Sequence, residues 1–97
     1  VSDHRLKEDI ASLENCLSRV INISPRSFRW KDDFNSIHNN KGRDIGFLAQ
    51  EVEIQEPTLV GEHMKYKTVH YEKFAPLLVG AIKELYEEIQ QIKTKIQ

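Results

Sequence analysis

The sequence predicts an α+β domain: a small irregular β-sheet with short helices, then a long C-terminal helix forming a parallel trimeric coiled coil. Three observations predict it. Apolar residues in FAPLLVGAIKELYEEIQQIKTKIQ recur alternately three and four apart from Ala75 to Ile96. SFRWK alternates apolar and polar with the period of a strand. Between the two lie short apolar runs punctuated by Gly42, Pro57 and Gly61, which suit small strands and single helical turns.

In chain order, SLENCLSRVINI is expected to form a short amphipathic helix. Leu13, Cys16 or Leu17, Val20 and Ile21 would share one face, with Ser12 as the N-cap. Pro25 stands in a segment that cannot continue that helix. SFRWK then places Phe28 and Trp30 on one side of a half-buried strand and Ser27, Arg29 and Lys31 on the other. NSIHNNKGR is polar, and Asn39, Asn40 and Gly42 suit turns, so it reads as a loop or hairpin tip. In DIGFLAQEVEIQEP, Ile45, Phe47 and Leu48 open a strand-like run, and AQEVEIQ becomes helical before Pro57 ends it. PTLVGEHMKYKTVHY supplies short extended pieces with a turn near Gly61.

The last third carries a heptad seam, with a at Ala75, Ile82, Ile89 and Ile96 and d at Leu78, Leu85 and Ile92. Pro76 belongs in the first turns, because deeper in the helix it would remove a needed hydrogen bond. Isoleucine at a, with isoleucine at one d, favours three strands, although Leu85 pulls less that way. Glu88 at g and Lys93 at the following e are spaced to pair across parallel neighbours. An amphipathic helix packed on its own domain would show a similar stripe. The polarity of the last two turns outside the seam favours the trimer.

Ninety-seven residues suit one domain, or a domain with an extended arm. A chain this short buries only ~60–65% of its unfolded surface, so oligomerisation is a natural source of further stability. The 39% hydrophobic and 30% charged content fit a folded chain with a well-solvated helical surface. Fourteen basic against fifteen acidic residues leave a net charge of -1, which gives no field to attract nucleic acid or an anionic membrane. No apolar stretch approaches the ~18–20 residues of a membrane helix. Cys16 is the single cysteine, so neither an intrachain disulfide nor a cysteine zinc cluster is possible. The chain does not begin with methionine, which fits a fragment or a processed product.

VSDHRLKEDI holds the first candidates for chemistry. A serine needs a base to become a nucleophile, and a neutral lysine amine can serve. Ser2 and Lys7, five residues apart, can meet across a bend. The same spacing also suits Ser2 or Asp3 capping a turn with Lys7 in water. A lysine amine at its reference pKa of about 10.4 is almost wholly protonated at neutral pH, and freeing it costs ~4 kcal/mol. Arg5 pushes toward the neutral amine, Glu8 and Asp9 push against it, and burial in an assembly would supply the remainder.

His4, His38, His63 and His70 lack metal-ligand spacing, so no metal site is expected; His4, beside Ser2, is an alternative base. Gln50, Glu51 and Glu53 can line a pocket or form the wet face of a helix. No G-x-G-x-x-G, P-loop, G-x-S-x-G or H-E-x-x-H occurs, and no cofactor is called for.

SDHRLKEDI, PRSFRWK, IGFLAQEVEIQEPTLV and YKTVHYEKFAPLLVGAIKEL together resemble, in order and spacing, one domain. It is the C-terminal intramolecular chaperone domain of phage endosialidases, tail fibres, neck appendages and other trimeric spikes, related to a domain in myelin regulatory factor. The resemblance covers essentially the whole chain. It implies a homotrimer that helps an upstream stalk of the same polypeptide to fold and then cuts itself off by a serine–lysine mechanism. SDHRLK matches the family pattern S-D-x-R-x-K, which implies Ser2 as nucleophile, Lys7 as base, and at most orienting roles for Asp3 and Arg5. His4 fills a variable position, and the short NSIHNNKGR loop implies a reduced stalk-gripping arm. Residues 1–97 would then divide into a cleavage-site segment (1–11), an α+β body (12–70) and a trimerising helix (71–97). The resemblance also implies a virion tail or fibre precursor assembled in the host cytoplasm, with the domain released after cleavage. Nucleotide binding in some relatives is not carried over, since no phosphate-cradling motif appears.

Ring size favours one scissile bond. Ser2 Oγ reaches the Val1 carbonyl through a five-membered ring, whereas its own carbonyl would require a strained four-membered one. Val1–Ser2 is therefore expected within one chain; cutting of Ser2–Asp3 by a neighbouring subunit stays open. Two other readings stand beside self-cleavage: a non-cleaving trimerisation module at a fibre tip, and a transcription-factor trimeriser.

Overall fold

The computed structural model describes residues 1–97. Seven regular elements follow one another: α1 (Cys16–Val20), β1 (Arg26–Arg29), β2 (Arg43–Gly46), α2 (Ala49–Gln55), β3 (Val60–His63), β4 (Tyr66–Val69) and α3 (Tyr71–Ile96). Single 3-10 turns lie at His4–Leu6 and Pro57–Leu59. This is the α+β arrangement the sequence predicts, but the sheet is not one piece. β1 pairs antiparallel with β2 and β3 with β4, giving two separate hairpins.

The helix expected from Ser12 begins only at Cys16, and Ser12 does not cap it. Asn15, in the left-handed conformation at φ 58°, turns the chain into the helix without a side-chain cap of its own. The missing cap comes from α3: the Glu84 carboxylate accepts the Cys16 N–H at 2.7 Å and the Leu17 N–H at 3.2 Å. A five-residue helix cannot nucleate alone, so it forms where α3 offers both a wall and a cap. Leu13 lies ahead of it and stays exposed.

The turn expected near Gly61 falls instead at Met64–Lys65, both with positive φ (50° and 71°), the pairing a two-residue hairpin of this twist requires. Gly61 lies within β3 for a different reason. A Cβ there would stand 2.9 Å from Thr68 Oγ1 and 3.0 Å from the His70 ring.

The core is small: Cys16, Ile23, Val52, Leu59, Phe74, Leu77 and Ala81. Phe74, Leu77 and Ala81 form the stripe of α3 that packs on α1 and the body. Gly80 lets Cys16 approach, since a Cβ at that glycine would meet Cys16 Sγ and Cβ. Glu56, the one buried charged residue, is held by the Arg19 guanidinium, which ties α1 to the end of α2. Pro76 sits in the second turn of α3, at the sixth helical residue.

The heptad positions lie on a different face. Ala75, Leu78, Ile82, Leu85, Ile89, Ile92 and Ile96 are all exposed in the single chain. The chain exposes 8260 Å², against about 5,700 Å² for a compact monomer of this mass. Its radius of gyration is 17.6 Å, against ~12.5 Å for a compact domain of this length. No helix is long and apolar enough to cross a membrane.

Candidate active site

The first seven residues fold on themselves. Asp3, in extended conformation, begins the 3-10 turn His4–Leu6 and accepts the Arg5 N–H at 2.9 Å. The same carboxylate takes the Arg5 guanidinium, through Nε at 3.1 and 3.2 Å and a terminal nitrogen at 2.8 Å. Backbone bonds from Leu6 N–H to Asp3 O and from Lys7 N–H to His4 O, each 3.1 Å, close the turn. An aspartate two residues before an arginine thus acts as cap and ion-pair partner at once.

The turn folds the five-residue separation back on itself. Lys7 Nζ lies 2.8 Å from Ser2 Oγ. The proposed nucleophile and base are therefore within hydrogen-bond reach, and Asp3 and Arg5 form the clasp between them. No hydrogen bond joins the His4 side chain to Ser2. The Arg5 guanidinium beside Asp3 holds that carboxyl below the usual aspartate value, and Asp3 in turn raises Arg5. The positive charge expected to act on Lys7 from Arg5 is thereby largely compensated by its own neighbour.

Both side chains are open to solvent. Ser2 and Lys7 are exposed, and the hydrogen bonds and ion pairs of residues 1–11 all run within that segment. Nothing in the single chain buries the lysine. A protonated Lys7 donates to Ser2 Oγ; general-base action needs the opposite sense, with the serine O–H donating to a neutral amine at the same separation.

The other candidates separate. Glu51 pairs with Arg26 at 2.7 Å and Glu53 with Lys67 at 2.9 Å, so both brace α2 against the hairpins. Gln50 borders an aromatic groove. His38 Nδ1 accepts the Asn40 N–H, and His70 lies 3.9 Å from Glu72. No three His, Cys, Asp or Glu side chains gather as metal ligands would.

Reading the sequence missed that groove. About 850 Å³ in volume, it opens between the two hairpins and the heads of α2 and α3. Phe28 and Trp30 were visible as an alternating pair, and meet edge-to-face at 5.1 Å. Phe34, Tyr66 and Tyr71 join them from three separate parts of the chain, which no local spacing could signal.

A family profile described as "Chaperone of endosialidase", and named as a peptidase family, matches residues 2–61. The match takes in more than half of the chain and includes the Ser2–Lys7 turn. Among curated proteins none matches.

Proposed function

The chain belongs to the family of endosialidase chaperones, and from that membership we propose that it is a self-releasing intramolecular chaperone. Three copies associate through the α3 seam and hold an upstream phage fibre or spike stalk in register while it folds. The domain then cuts itself off between Val1 and Ser2. Precursor assembly in the host cytoplasm and release from the mature fibre complete the reading.

The observation that carries it is the 2.8 Å approach of Lys7 Nζ to Ser2 Oγ. The neutral Lys7 amine takes the hydroxyl proton as Ser2 Oγ bonds to the Val1 carbonyl carbon. The C–N bond then breaks, and the lysine ammonium returns the proton to the departing Ser2 nitrogen. An ester joins Val1 to Ser2 Oγ; water hydrolyses it to a Val1 carboxylate and a free serine hydroxyl. The product keeps Ser2 as its first residue.

Trimerisation is supported by an exposed apolar seam of seven residues from Ala75 to Ile96, and by surface about 2,500 Å² beyond that of a compact monomer. Registering three chains lowers the entropic cost of winding an intertwined stalk. The exposure of Lys7 in the single chain supports a second link: the base is freed only when assembly buries it, so cutting reports correct assembly. Release is irreversible and leaves the stalk kinetically trapped.

Mass spectrometry of the full-length product, native against Ser2→Ala, tests the reading. The native chain should appear as two fragments divided at Val1–Ser2 and the variant as one uncut mass. An uncut native chain would favour the non-cleaving module, and a division at Ser2–Asp3 would favour attack from a neighbouring subunit.

A further inference from the structure

We infer that the aromatic groove of one copy receives the Leu6–Ile10 segment of a second copy, so that the Ser2–Lys7 site is completed by its neighbour. The inference rests on the trimeric reading above and names what that trimer must bury beyond its helical seam.

A seam confined to α3 leaves too much apolar surface in water. Leu6 and Ile10 are each 73% exposed, and in the groove Leu48 is 44% and Tyr66 49% exposed. None of the four lies on α3. Tyr71, which also lines the groove, stands one heptad before Leu78 and so at a d position. The groove therefore opens at the head of the seam, where a parallel neighbour is closest.

Charge selects the occupant. LKEDIASLE, residues 6–14, carries three carboxylates (Glu8, Asp9, Glu14) against one lysine. The groove is bordered by Arg29, Lys31 and Lys67 against Asp44, and Lys67 is already paired with Glu53. Asp44 is already engaged by the Trp30 indole N–H at 3.1 Å, while Arg29 and Lys31 have no anionic partner. Arg29 moreover faces Arg43 across β1–β2, a like-charge pair that an incoming carboxylate would relieve.

Reach permits it. Cys16 packs on Gly80, nine residues along α3 from Tyr71, or about 14 Å of helix. Adding ~8–10 Å between neighbouring axes gives a span of roughly 17 Å. The six residues back from Cys16 to Ile10 extend to ~20 Å. In the single chain the segment makes no hydrogen bond to its own groove. Docking on a neighbour would seat Leu6 and Ile10 on either side of Lys7, strip water from its amine and bring Arg29 and Lys31 near. Both changes favour the neutral amine that the serine needs.

The test is photo-crosslinking of the full-length Ser2→Ala chain, which stays uncut, carrying Ile10→p-benzoylphenylalanine, with mass measured by light scattering beforehand. A trimer that yields a band at twice the chain mass, with the crosslinked peptide drawn from residues 44–50 or 63–71, is the expected result. Arg29→Glu with Lys31→Glu should cut that yield at least tenfold, and adding Glu8→Lys with Asp9→Lys should restore it. A trimer whose crosslinks stay within one chain, or land elsewhere, overturns the docking and leaves the trimeric reading standing. A monomer overturns both.

Discussion

Glu84, two-thirds of the chain away from Cys16, caps the helix that Cys16 begins, accepting its N–H at 2.7 Å. The long helix thus holds the short one at two points, a carboxylate at its end and Gly80 against the Cys16 side chain. Glu84→Ala should lower stability by about 1 kcal/mol, the usual worth of a cap. Urea unfolding followed by circular dichroism checks it. Glu84→Gln, which keeps one acceptor, should lose less.

Gly80→Ala should destabilise the fold by about 1–2 kcal/mol although alanine is the better helix former. The new methyl would meet the fully buried Cys16 at both Sγ and Cβ. Pairing it with Cys16→Ala should recover part of the loss, because the sulfur contact goes while the Cβ contact at 2.9 Å stays. Thermal unfolding of the single and double variants measures the recovery.

Acid should loosen the α1–α2 junction. The Arg19 guanidinium holds the Glu56 carboxyl below its ordinary 4.5, while burial pushes the other way. A folded-state value below the unfolded one means that the stabilisation is fully present above about pH 4.5 and disappears as pH falls through the folded value. Glu51 and Asp44 shift in the same direction. Stability should be flat from pH 5 to 8 and drop below 4.5, and Glu56→Gln should show a shallower acid slope. Arg19→Ala, which strands a buried carboxylate, should cost about 3 kcal/mol at pH 7, the low end for a pair whose arginine is a third exposed.

The two apolar stripes of α3 should separate genetically. Ile82→Asp acts at a residue 65% exposed in the single chain, so it should break the proposed trimer, and the proposed cleavage with it, while helical content persists. Leu77→Asp acts at a residue 2% exposed and should unfold the body. Light scattering and circular dichroism distinguish the two outcomes.

Lys7→Ala should abolish cutting and leave the oligomer intact, as should Ser2→Ala. Neither side chain contacts the body, so their loss should remove the proposed chemistry without removing packing. Efficient cutting by Lys7→Ala, read as fragment mass, would remove the lysine from the mechanism.

Much of this was legible in one dimension. Period-two alternation marked Phe28 and Trp30, Pro57 marked the end of α2, and SDHRLK carried its turn within six residues, because an aspartate cap and an i,i+2 ion pair are local interactions. Local patterns marked most of the elements and the turn that near neighbours build. Tertiary structure alone decided which apolar stripe of α3 faces inward. Ala75–Leu78–Ile82 and Phe74–Leu77–Ala81 have the same spacing, and the arrival of α1 over Gly80, with Phe47 stacked on Phe74, makes the second the core. The same long-range contact moved the start of α1 from Ser12 to Cys16, since the deciding acceptor, Glu84, lies 68 residues away. Spacing predicts which residues share a face; burial depends on what else is brought against that face.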